Sequence, residues 1–187
     1  MKLKHYLALF FLALWSTSLL ASTIDGVSFP DEIIADGKPL LLNGLGTRKA
    51  TFLKVKVYHA ALYLAHRASE PEAFLETPEP KQIVMSFVRD VEANDLKKTY
   101  SEAFATANPD THQSMATLFN EFNSNFQLEV KKGQKMIFTF TDHGTSIKVG
   151  DQAESKFYGD AKFSQSLLRM WFIRPQDPDL ARGLLRK

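Results

Sequence analysis

The 187-residue chain contains no cysteine. Disulfide staples, a thiol nucleophile and thiolate metal sites are therefore all excluded, and stability must come from packing. The common catalytic signatures are missing too. There is no G-x-S-x-G elbow, no H-E-x-x-H pair and no phosphate-binding loop. Gly44-Leu45-Gly46 is not a dinucleotide fingerprint, because the third glycine would fall on Lys49 and a strand pattern follows rather than a helix. His59 and His66, seven apart on a strand, point to opposite faces and make a poor metal pair, while His112 and His143 read as solvated surface residues. No cluster of carboxylates suits acid–base work, and Asp90 and Glu92 read as strand-end charges. Neither a metal nor a cofactor is expected.

A long hydrophobic run is also lacking. The apolar stretch Tyr6 to Trp15 is interrupted by Ser16-Thr17-Ser18, well short of the roughly 20 residues of a membrane span. Preceded by Lys2 and Lys4 and followed by Leu19-Leu20-Ala21, it reads as a cleavable signal peptide over residues 1–21. No cysteine near Ala21 could take a lipid. The expectation is an exported, periplasmic protein whose mature chain, residues 22–187, is one domain without a transmembrane segment. Export also removes an apparent excess of positive charge. Without Lys2 and Lys4 the chain carries 21 basic and 21 acidic residues, so the precursor pI of about 8.7 gives no ground for a nucleic-acid partner.

What the sequence does have is phenylalanine, fifteen in all, enough for a large core or a roomy apolar cavity. The first half reads as β structure. Val27 to Phe29 is a short strand, and Asp36-Gly37 is a hairpin turn between Ile33-Ile34 and Leu40-Leu41-Leu42. Asn43-Gly44-Leu45-Gly46-Thr47-Arg48 follows, with two glycines that permit a sharp bend or bulge. The longest strand candidate runs from Thr51 to Ala65. Alternation puts Val55, Val57, His59, Ala61 and Tyr63 on a packed face, and Lys54, Lys56, Tyr58, Ala60 and Leu62 on a mixed face suited to a ligand.

Gln82 to Val88 is a further strand. Asn94 then caps a helix from Asp95 to about Ala107, and Asn108-Pro109-Asp110 opens a second helix with the apolar stripe Met115, Leu118, Phe119, Phe122 and Phe126. Strands return at Leu128-Val130, Met136-Thr141, Ser146-Val149 and Ala153-Phe157. A helix bearing Phe163, Leu167, Met170 and Trp171 follows, and Asp177-Pro178 opens a last one through Leu185. The order argues for an α+β fold with helices packed on an antiparallel sheet.

One constellation has chemical character. The Gly-x-Gly segment presents Arg48, and the next strand carries Tyr58 on its mixed face. A guanidinium offers two parallel donors to a carboxylate or an enolate-like oxyanion, and a phenol adds a third. The alternative is that Arg48 pairs with a surface acid and Tyr58 fills core.

Leu42-Asn43-Gly44-Leu45-Gly46-Thr47-Arg48 and Lys56-Val57-Tyr58-His59-Ala60-Ala61-Leu62-Tyr63-Leu64 resemble the signature of the chalcone isomerase-like family, in particular its exported bacterial members. Phe87-Val88-Arg89-Asp90-Val91, the Leu167-Leu168-x-x-Trp171 helix and Leu180 to Leu185 match in order. The resemblance implies an open-faced β-sandwich, a large antiparallel sheet with helices over one face and a ligand cleft between the layers. In the plant isomerases an arginine after the Gly-rich segment orients an oxyanion, a threonine on the next strand and a helical tyrosine and asparagine organise water and ketone. Arg48 matches the arginine. Tyr58 stands at the threonine position, Tyr100-Ser101-Glu102 is similar to the tyrosine segment, and Ala107, beside Asn108, takes the place of the asparagine.

Other members of the family bind fatty acids without catalysis, holding the carboxylate with an arginine and a tyrosine. The resemblance thus implies a binder of a small amphipathic carboxylate such as a fatty acid, with Arg48, Tyr58 and Tyr100 as ligand-binding residues. An intramolecular lyase acting on a conjugated phenolic substrate and a partner-binding module with a collapsed cleft are the alternatives.

Overall fold

The computed structural model describes residues 20–50 and 53–187. The expected signal segment lies outside them except for Leu20 and Ala21, as do Thr51 and Phe52 at the start of the expected long strand.

Among the described residues eight strands are formed in chain order: β1 (Ala21–Ile24), β2 (Val27–Pro30), β3 (Glu32–Ala35), β4 (Lys38–Ala50), β5 (Val55–Leu64), β6 (Lys81–Phe87), β7 (Lys135–Thr141) and β8 (Gly144–Val149). Strands β3 to β8 make one antiparallel six-stranded sheet in sequential order, and β1 and β2 form a separate hairpin. Four helices are described: α1 (Ala93–Ala107), α2 (Ala116–Asn123), α3 (Ala161–Leu168) and α4 (Pro178–Leu184). The fold is α+β, as expected.

Both faces of the sheet are covered, unequally. The larger core lies beneath the helices, where Ala60, Leu62 and Leu64 of β5, Ile83 and Met85 of β6 and Phe138 and Phe140 of β7 meet Leu96, Tyr100 and Phe104 of α1, Phe119 and Phe122 of α2 and Trp171. On the other face Phe29 of the β1–β2 hairpin packs with Ala35, Leu40, Leu42, Ala61, Tyr63 and Val84, and the Tyr63 hydroxyl donates to the Pro30 carbonyl at 2.9 Å.

The expected assignment of faces on β5 is corrected here. Arg48 pairs with Tyr58 but Lys49 with Lys56, so Val57 is an extra residue, a β-bulge. The bulge breaks strict alternation and lets Val57 and Tyr58 both lean on the helix-side core, while Val55 is left 38% exposed. Tyr58, Ala60 and Leu62 of the mixed face look into the larger core and Val57 joins them there, while Ala61 and Tyr63 pack on the opposite face.

The Gly-x-Gly segment is likewise not a bend. It runs straight through β4, and the bulge there is at Asn43, between the Leu42–Tyr63 and Gly44–Leu62 pairs. The glycines serve close approach instead. A Cβ on Gly44 would lie 2.4 Å from the Gly183 carbonyl oxygen, and one on Gly46 would lie 2.7 Å from that of Leu180, so α4 rests directly on the backbone of β4. The Asn43 side chain fixes this contact by donating to the carbonyls of Leu184 and Ala68 and accepting from Ala68 N–H.

Three further expectations shift. Leu128-Val130 and Ala153-Phe157 are not strands; single bridges, Val91 to Val130 and Thr145 to Tyr158, are formed there. Asn108-Pro109-Asp110 opens a run of turns, and α2 begins only at Ala116. The first helix starts at Ala93 with Glu92 at its N-cap position, without a side-chain cap from Asn94. The helix start read at Asp177-Pro178 is present, the Asp177 side chain accepting from Asp179 N–H and Leu180 N–H, and Asp160, which the sequence reading passed over, caps α3 by accepting from Phe163 N–H.

Candidate functional site

Arg48 and Tyr58 are directly opposed across β4 and β5, and Tyr58 is opposed to Phe87 on β6. Side chains directly opposite one another on antiparallel strands share a face. The three therefore form a row across the sheet under the helix layer, with the rings of Tyr58 and Phe87 5.3 Å apart. Helix α1 passes over this row, and the segment that ends in α4 closes one side.

Between them lies a cavity of about 630 Å³, within the range of about 300–1,000 Å³ usual for small-molecule sites. Arg48, Tyr58 and Tyr100 all line it. Its apolar wall is Val57, Phe87, Leu96, Met170, Trp171 and Leu180, and its mouth carries Arg89, Asp95, Lys98 and Glu102.

Arg48 is held from below. Its Nη1 donates to the Lys49 carbonyl at 2.8 Å and its Nη2 to Gln176 Oε1 at 3.2 Å. Asp177 Oδ2 stands 3.5 Å from Nη1 and also accepts the Lys49 backbone N–H at 2.7 Å. The acid is thus committed three ways: it caps α4, terminates the β4 backbone and partners Arg48. That pairing is loose. A guanidinium has five N–H donors, and Arg48 spends few of them on described residues while its side chain keeps 18% of its surface exposed.

The two phenols differ in role. Burial pushes the Tyr58 pKa up to about 12, with Arg48 and then the Trp171 side chain pulling against it. Tyr58 is consequently a neutral hydroxyl, able to donate, beside a fixed positive charge. Tyr100 is 6% exposed, and burial, reinforced by Tyr58 and opposed by Arg48, raises its pKa well above the ordinary phenol value. Its hydroxyl faces Met85 Sδ and Met136 Sδ, each at 3.6 Å, and its ring stacks on Phe126 with centroids 4.9 Å apart. Thioether sulfur is a weak acceptor, so this hydroxyl is turned into the core.

The three residues singled out in the sequence are therefore brought into one cavity. Sequence reasoning missed Asp177 as the partner of Arg48, although its cap to α4 was legible; the pairing spans 129 positions along the chain. Trp171 was read as a core residue on a helix face, and it does pack against Phe138 and Phe140 while one side borders the cavity. Asn108, the asparagine nearest the isomerase position, faces elsewhere. Its amide donates to the carbonyls of Phe104 and Ser166, and it lines a different hollow with Arg169 and Met115. His59, set aside as a ligand, is buried on the opposite face of the sheet, where Nδ1 shares a 2.8 Å hydrogen bond with the Thr47 hydroxyl.

Comparison with known proteins agrees with this fold. Residues 21–186 match the family model described as chalcone isomerase-like, and the chain belongs to that family. No curated protein sequence matches it. Among solved structures it is similar to the crystal structure of a fatty-acid binding protein of Arabidopsis thaliana, with 16% sequence identity and a TM-score of 0.69 over 89% of this chain and 96% of that one. At this identity the likeness shows the shared fold. Among the described residues no helix is long and apolar enough to cross a membrane.

Proposed function

We propose that the protein is a non-catalytic binder of a small amphipathic carboxylate of the fatty-acid kind. Arg48 receives the carboxylate, Tyr58 adds a neutral donor, and the apolar part of the ligand lies against Phe87, Leu96 and Trp171. The observation that carries the reading is that Arg48 and Tyr58 are paired across two strands at the edge of one 630 Å³ cavity whose inner wall is apolar. Family membership and the fatty-acid binding protein of the same fold support it. With a signal peptide over residues 1–21, the ligand is one met outside the cytoplasm.

The alternatives find less support. A lyase needs a hydroxyl and amide network on its ketone, yet Ala107 stands where the asparagine is wanted and Asn108 is bonded elsewhere. A collapsed cleft requires phenylalanines in front of Arg48, and among the described residues Phe87 is the single one lining the cavity.

Isothermal titration with octanoate and decanoate tests the proposal. Wild type binds at a single site, and Arg48→Ala weakens binding roughly ten- to hundredfold, the worth of a hydrogen bond to a charged group of about 1.5–3 kcal/mol, with an unchanged circular dichroism spectrum. Absence of binding by wild type overturns the reading. Loss of chalcone absorbance faster than in buffer would favour the lyase.

A further inference from the structure

The cavity has a floor, and the floor is aromatic. Tyr100 and Trp171, each about 5–6% exposed, separate it from the interior between sheet and helices. Directly behind them that interior is filled. Phe126 stacks on Tyr100 at an interplanar angle of 8°, Phe138 lies 5.5 Å from Tyr100 and 5.1 Å from Trp171, and Phe122 lies 5.9 Å from Phe138. Phe122, Phe126, Phe138, Met85 and Met136 are all fully buried, and none of them lines the cavity.

From this packing we infer that Tyr100 sets a length limit on the ligand: the site takes compact or short-chain carboxylates and excludes a long alkyl tail from the space between the layers. The inference rests on the binding proposed above and assigns Tyr100 a role that its position on α1 alone did not disclose. Its hydroxyl, facing Met85 and Met136, does not meet the carboxylate; its ring is the wall that the far end of the ligand meets. A tail that outruns this wall must turn along the mouth, where Asp95, Lys98 and Glu102 are solvated and no apolar surface is gained. Affinity gained per methylene therefore stops when the tail reaches Tyr100.

The test is an affinity series of straight-chain carboxylates from butanoate to hexadecanoate, kept below their micelle concentrations, on wild type, Tyr100→Ala and Tyr100→Leu. Each methylene buried against apolar surface improves binding by about fourfold. Wild type follows that slope for the short members and levels off, so that hexadecanoate binds no more tightly than dodecanoate. Tyr100→Ala extends the rising part to longer chains, and Tyr100→Leu, which keeps an apolar side chain in the core, does so by fewer carbons. A wild-type slope that continues to hexadecanoate, or a levelling point unmoved in both variants, overturns the length limit while leaving the binder intact. No binding by any member overturns both.

Discussion

Replacing Gly44 with alanine sets two effects of opposite sign against each other. Gly44 is not in the left-handed region, so an L-residue fits its backbone, and the reduced freedom of the unfolded chain would stabilise the protein by about 0.4–1 kcal/mol. Against this, the new Cβ would lie 2.4 Å from the Gly183 oxygen, 2.5 Å from the Leu184 oxygen and 2.8 Å from the Leu184 carbonyl carbon. These are backbone atoms of α4, and no rotamer change relieves them. The helix must back away from β4, with an overpacking cost of about 1–3 kcal/mol. The 2.8 Å bond from the Asn43 amide to the Leu184 carbonyl is strained as well, a further contribution of about 1 kcal/mol. The steric effect wins, with a net loss of roughly 2–3 kcal/mol. For a protein of this size that lowers Tm by about 4–12 °C. Urea unfolding followed by circular dichroism should show a lower midpoint and an unchanged slope. Gly183→Ala, whose Cβ would meet the Leu45 oxygen at 2.4 Å, should behave alike. Because one displacement of α4 relieves both clashes, the double variant should lose less than the sum of the two. A Gly44→Ala protein as stable as wild type would refute the claim that these glycines exist to seat α4.

Two other expectations concern Asp177 and the groups that titrate at alkaline pH. Asp177→Ala removes the α4 cap and the acceptor for Lys49 N–H, and should cost about 1–3 kcal/mol in urea unfolding; Asp177→Asn keeps the cap acceptor, costs less, and should bind alkanoates more tightly because Arg48 loses its acid neighbour, whereas weaker binding would contradict the arrangement. On the alkaline side the signs differ between groups. Burial lowers Lys81 from 10.5 to about 8, so the unfolded chain holds the extra proton between these values and stability rises with pH there. Tyr58 is raised from 10.0 to about 12, so its contribution is intact below pH 10 and is lost as pH rises through about 12. Unfolding midpoints should therefore increase from pH 8 to 10 and fall beyond it, and Tyr58→Phe should soften the fall.

Much of this fold was legible because its signals are local. Asp36-Gly37 made its hairpin, Phe119, Phe122 and Phe126 are buried as their spacing suggests, and Asp177 caps the helix it precedes. Arg48 and Tyr58 were legible as a pair because a guanidinium and a phenol on successive strands have an obvious use. What escaped depends on register and distance. The extra residue at Val57 reverses the alternation, and no property of a valine announces a bulge. The glycines of β4 were read for conformational freedom, while their actual use is the approach of a helix some 140 positions later. Leu128-Val130 and Ala153-Phe157 have strand composition, but each makes only one bridge at its end or just past it. Tyr100 was read as a polar contact, and only the positions of Met85, Met136 and Phe126 show that its hydroxyl points inward.

The central claim is that Arg48 anchors a carboxylate at the mouth of a cavity floored by Tyr100. The most direct measurement is a crystal structure of the protein with decanoate. The account places the carboxylate within hydrogen-bonding distance of the Arg48 guanidinium and the Tyr58 hydroxyl, with the tail running along Phe87 and Leu96 to end against the Tyr100 ring. A carboxylate bound away from Arg48, or a tail passing between the sheet and Phe126, would contradict it.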